Sequence, residues 1–106
     1  MKAEQRFDEI VDDLKMLGVT AGSMFGARGA KADGKVFACL QADAMAFRLG
    51  ADSTVHAKAL ALSGAELWDP SGMHKPFKDW VIVPSEHSDD WGHLAESALQ
   101  RLRQKL

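Results

Sequence analysis

Residues 29–35 read Gly-Ala-Lys-Ala-Asp-Gly-Lys, the Gly-x-x-x-x-Gly-Lys spacing with which a phosphate-binding loop begins. That chemistry needs a Ser or Thr next, to hold Mg²⁺, and a helix whose N-terminus faces the phosphates. Val36 follows instead, inside a strand-like run, so no nucleotide site and no cofactor are expected. Gly26-Ala27-Arg28-Gly29 matches the Gly-x-x-Gly clamp of KH domains, but that clamp joins two helices. Here the glycines read as relief for a twisted or bulged strand. His56, His74, His87 and His93 lack metal-binding spacing; Asp89 and His93, four apart, read as a first-turn acid beside a surface histidine. Cys39 is the only cysteine, set among apolar neighbours, where an inert buried thiol is expected. The polar groups available to a small ligand are His74 and Lys75, in the loop 70–76, and Arg28.

Composition narrows the classes. The 106 residues suit a single domain, 1–106, that buries roughly 65% of its unfolded surface. The net charge of −2 argues against a polyanion as obligatory partner. Arg28, Lys31, Lys35 and Arg48 nonetheless make a locally basic hairpin region, a candidate nucleic-acid contact. A lone cysteine excludes an internal disulfide. With no basic-then-apolar leader and no apolar run near ~18 residues, a cytoplasmic protein without membrane contact is expected.

The elements that would position these groups follow from periodicity. Phe7, Ile10, Val11, Leu14 and Leu17 recur at helical spacing, which predicts a helix over 3–17 ended by Gly18. A second helix starts with Asp52 or Ser53 as N-cap, turns Val55, Ala59, Leu60 and Leu62 inward, and stops at Gly64. The third takes Ser88 as N-cap and buries Trp91, Leu94, Ala95, Ala98, Leu99 and Leu102; its acids come first and its bases last, as the helix dipole favours. Five strands are predicted, at 23–31, 36–41, 44–49, 66–69 and 77–83. Asp33-Gly34 supplies the two positive-φ positions of a type I′ turn between the first two. The resulting order is α-β-β-β-α-β-β-α, an α+β two-layer sandwich on a largely antiparallel sheet.

Strands 36–41 and 77–83 are apolar on both faces, whereas a solvated antiparallel sheet alternates apolar with polar. Three helices gathered on one face would leave the other wanting cover, and such a patch marks an interface. A homodimer is therefore expected, with Phe47, Trp68 and Trp80 as candidates for its centre. Packed with Phe77, the two tryptophans would otherwise be core.

Four motifs in order carry a family resemblance: Met24-Phe25-Gly26-Ala27, Gly34-Lys35-Val36-Phe37-Ala38, the strand ending in Val83-Pro84, and the last helix. Over about residues 3–104 the chain resembles the N-terminal domain of the TfoX/Sxy family of bacterial competence regulators. The resemblance implies a fold shared with type III secretion chaperones, often homodimeric. It also implies a structural role for Met24, Phe25, Gly26, Gly34, Phe37, Ala38, Val83 and Pro84. Two departures stand out. Ala27 replaces the second Gly of Met-Phe-Gly-Gly, and the chain ends with its last helix, without the second domain of full-length regulators.

The expectation is therefore a non-enzymatic homodimeric protein-interaction domain with a regulatory role, whose partner is itself or another protein. Two alternatives stand beside it. One is nucleic-acid binding through the basic hairpin, and the other is a ligand site or enzyme built on the loop 70–76.

Overall fold

The computed structural model describes residues 2–24 and 26–104. Helix α1 (Ala3–Asp13) buries Phe7 and Ile10, and a 3₁₀ turn (Lys15–Leu17) carries the chain to Gly18 at φ 88°. The predicted helix 3–17 therefore ends early. After α1 the chain tightens into the 3₁₀ turn, leaving Met16 and Leu17 exposed rather than on the buried stripe.

Six strands follow, not five: β1 (Thr20–Met24), β2 (Ala27–Ala32), β3 (Lys35–Gln41), β4 (Ala44–Arg48), β5 (Glu66–Trp68) and β6 (Phe77–Pro84). The single strand expected at 23–31 is two. The chain reverses between Met24 and Ala27, which pair across β1 and β2, with Gly26 at φ 75°. A residue in that region cannot continue a strand, so the Gly26–Gly29 segment opens with a turn. Asp33 (φ 54°) and Gly34 (φ 79°) make the expected type I′ turn between β2 and β3. The Ala42-Asp43 connection joins β3 to β4, with Ala42 at φ 53°.

All pairings are antiparallel, in the order β1-β2-β3-β4-β6-β5. The protein is thus α+β, with a six-stranded antiparallel sheet and three helices. Helix α2 (Thr54–Leu60) takes Ser53, one of the two expected caps, whose Oγ accepts the His56 N–H at 3.1 Å, and it ends before the expected stop at Gly64. Helix α3 (Ser88–Gln104) buries the six residues its periodicity selects. Its entry differs from the reading: Ser88 is already helical (φ −59°, ψ −23°), because the chain turns immediately after Pro84 through a 3₁₀ segment (Ser85–His87). Proline suits that extended position before a helical entry.

All three helices pack into one core with the sheet, around Phe37, Ala38, Leu40, Met45, Phe47, Val81 and Val83. Phe37 and Ala38 are adjacent yet both join it. Lys31 pairs with Val36 and Ala30 with Ala38, so Phe37 is the extra residue of a β-bulge, which breaks the in–out alternation. The opposite face has a smaller cluster of its own. Cys39, Ala46, Trp68 and Trp80 form its buried part, with Met24, Ala27, Val36, Phe77 and Ile82 partly exposed around them. No described helix residue takes part in it. This open face closes on itself: Trp68 on the edge strand β5 donates its indole N–H to Gln41 Oε1 on β3 at 2.7 Å, across β6 and β4. A flat sheet would not permit that reach; a strongly coiled one does. Among the described residues, no helix is long and apolar enough to cross a membrane.

Candidate functional site

The expected interface residues are the first to move. Phe47 is fully buried beneath the helices, so it has no surface to offer a partner. Trp68 (1% exposed) and Trp80 (6%) are spent inside their own chain, with ring centroids 5.0 Å apart and Phe77 edge-on to Trp68 at 6.0 Å. These three are corrected from interface to core. Alternating apolar residues on both strand faces pointed to two buried faces, and the second is filled largely from within.

The described positions that carry the resemblance lie in strands and turns of the sheet. Gly26 and Gly34 occupy positive-φ turns, Phe37, Ala38 and Val83 are fully buried, and Pro84 ends β6. Met24 is partly buried on the open face, and Phe25 lies outside the described residues. The near phosphate loop 29–35 is the end of β2, a turn and the start of β3, so no helix N-terminus follows it. Cys39 is fully buried, and burial pushes its thiol up to about 12. Among the described residues, no group of three or more His, Cys, Asp or Glu could hold a metal ion.

The four basic residues of the hairpin region separate. Arg28 is turned to the helix side, 2.5 Å from Asp8 and over the Phe7 ring at 5.1 Å. Lys31 lies along Gly22, where any Cβ would meet its stem at 3.0 Å. Lys35 and Arg48 do come together, lining one shallow depression of about 530 Å³ at the end of the open face. Its floor is Met24, Val36, Phe77 and Trp80, and its rim adds Lys78 and Asp79. Arg48 stands directly across from Trp80 in the β4–β6 ladder. The third alternative fares worse. His74 and Lys75 are exposed on the loop after β5, while Arg28 sits on β2 with β3 and β4 between.

Arginine pairing singles out this depression. Of the five arginines, four are ion-paired: Arg6 with Glu9 (3.1 Å), Arg28 with Asp8, Arg101 with Asp52 (2.6 Å) and Arg103 with Asp33 (3.2 Å). Most of these also staple elements together. Arg6 Nε donates to the Ser88 carbonyl at 3.0 Å, and Arg103 Nη2 to the Leu17 carbonyl at 2.5 Å. Arg48 has no ion pair among the described residues, and neither do Lys35 and Lys78. Asp79, the nearby carboxylate, is turned to the backbone: its Oδ1 accepts the Ala51 N–H at 2.8 Å, and its carbonyl accepts Leu49 N–H and Gly50 N–H.

Sequence reading missed Lys78 and the buried His56. Lys78 sits two residues from Trp80 on β6, and only the strand order brings it to Arg48. His56 is 5% exposed, with Nε2 2.8 Å from the Lys78 carbonyl; its place on the inward stripe of α2, three residues before Ala59, was the available signal. No protein-family model, curated protein or solved structure matches the chain.

Proposed function

We propose that the chain is a non-enzymatic homodimeric interaction domain, of the kind implied by its resemblance to the TfoX N-terminal domain, and that two copies join through the edge of β1. One observation carries the reading: the two sheet edges are defended unequally. Strand β5 is three residues long, bulged between Leu67 and Trp68, and followed by a loop. Strand β1 is five residues of Thr-Ala-Gly-Ser-Met, with neither charge nor proline, and no described residue takes up its outward backbone groups. Edges of that kind pair with other strands unless something blocks them. A two-fold axis through Gly22, the middle of β1, sets Ala21 opposite the partner's Ser23, and both are exposed.

The nucleic-acid alternative has less behind it, since Arg28 is held by Asp8 on the helix side and the hairpin cations form no continuous strip. Sedimentation equilibrium over a hundredfold concentration range tests the dimer. The mass should rise from the 11.6 kDa of one chain toward twice that value. A constant single-chain mass refutes it.

A further inference from the structure

Beyond self-association, we infer that a cleft under the end of α3 binds a short-chain aliphatic carboxylate. Helix α3 covers the cleft with Ala98, Arg101 and Leu102. Lys35 and Phe37 at the start of β3, Arg48 at the end of β4, and Gly50 and Asp79 beside them complete it. It lies on the helix side of the sheet, whereas the depression described above opens on the other face. Lys35, Arg48 and Asp79 border both.

Charge sets the head group. Arg101 is spent: it binds Asp52 at 2.6 Å and lies so close over Gly50 that any Cβ there would meet its guanidinium at 2.6 Å. Lys35 and Arg48 have no ion pair among the described residues. Asp79 offsets one of them, while its Oδ1 accepts the Ala51 N–H. One positive charge is left over, and a monoanion neutralises it. A phosphate dianion would bring a second negative charge toward Asp79. The Arg48 guanidinium presents the fork that a carboxylate takes with two oxygens.

Shape and polarity set the tail. The volume is about 80 Å³, room for about five to eight water-sized groups. Phe37 and Ala98 seal the back from water, and Leu102, 7% exposed, is the apolar wall in front of them. Inorganic phosphate would turn oxygens toward that wall with nothing there to bond them. An aliphatic tail of about three carbons covers it instead and gains from each methylene it buries. The site is also held in place. Leu49 N–H and Gly50 N–H donate to the Asp79 carbonyl at 2.9 and 3.1 Å, which ties the end of β4 to β6.

The test titrates the full chain with sodium butyrate near neutral pH at constant ionic strength. The Ala98 and Leu102 methyl signals and the Gly50 amide are followed by NMR. Acetate, octanoate, 1-butanol and inorganic phosphate serve as comparison ligands. Saturable shifts at these three residues are expected at about millimolar butyrate, with each comparison at least about threefold weaker. Arg48→Gln should weaken butyrate about tenfold, the usual worth of a charge-assisted hydrogen bond. Should that variant lose its fold, Lys35→Gln at the exposed start of β3 carries the same test, with a loss of about threefold expected. Lys78→Gln, which borders only the open-face depression, should leave butyrate binding unchanged. Affinity that keeps rising from butyrate to octanoate overturns the proposal in favour of an open apolar surface. Equal affinity for 1-butanol or for inorganic phosphate overturns it too. So does butyrate binding that the Arg48 and Lys35 substitutions leave unchanged, or that Lys78→Gln weakens as much as they do.

Discussion

Two side chains are held in protonation states that solution chemistry can read. Cys39 lies in the open-face cluster, where desolvation disfavours the thiolate and pushes its pKa to about 12. At pH 8 only about one thiol in ten thousand is then ionised, so a disulfide reagent should react with Cys39 only as fast as the sheet opens. Reaction before the urea transition would mean that the cluster is looser than its packing. Asp69 moves the other way. Ser71 Oγ donates to it at 2.6 Å, and the N–H groups of Lys75, Ser71 and Gly72 donate at 3.0, 3.1 and 3.1 Å; together these hold its carboxyl below the ordinary range. A depressed pKa in the folded state adds stability above the unfolded value of about 4 and withdraws it as pH falls through the folded value. The amide shifts of Ser71, Gly72 and Lys75 should therefore titrate together, with an inflection below about pH 4. An inflection at the ordinary aspartate value would mean that these bonds do not persist in solution.

At the scale of elements, the hairpin turns are where backbone conformation and residue type can be set against each other. Gly34 at φ 79° is well matched, and Gly34→Val should cost about 1–2 kcal/mol through left-handed strain at a β-branched residue. Ala42 at φ 53° is mismatched: its Cβ occupies the same region without glycine's freedom. Ala42→Gly should gain about 0.5–1 kcal/mol, the relieved strain exceeding the added unfolded-state entropy. Thermal unfolding of the two variants should thus move in opposite directions. A fall in melting temperature for both would place the strain outside these turns. The Asp33-Gly34 turn was readable because two adjacent residues supplied it. The division between β1 and β2 was harder, because Gly26 alone had to signal a reversal inside an otherwise strand-like run.

For the whole molecule, association and stability should respond to different residues. Phe47 is fully buried between sheet and helices, so Phe47→Ala should cost about 3–5 kcal/mol. By contrast, lysines at exposed Ala21 and Ser23 would face each other across the proposed two-fold, where like charges block edge pairing. The double variant Ala21→Lys/Ser23→Lys should sediment as a single chain, with its unfolding free energy within about 0.5 kcal/mol of the parent. A dimer that survives both lysines would move the interface away from β1.

Local pattern was enough for the inward face of α3, a cap for α2 at Asp52 or Ser53, the Asp33-Gly34 turn and the antiparallel α+β class. Each rests on residues within a few positions of one another, where periodicity and backbone preference act directly. Apolar residues on both faces of β3 and β6 also announced a second buried cluster, but not what would fill it. Only the tertiary structure decided that Trp68 reaches across the open face to Gln41, because that contact depends on sheet coiling and on β6 lying between β4 and β5. Which arginine would be left without a carboxylate was likewise undecided along the chain. Asp8, Asp52 and Asp33 lie 20, 49 and 70 residues from the arginines they bind, and that pairing, which leaves Arg48 unspent beside Trp80, is set by how the elements stack.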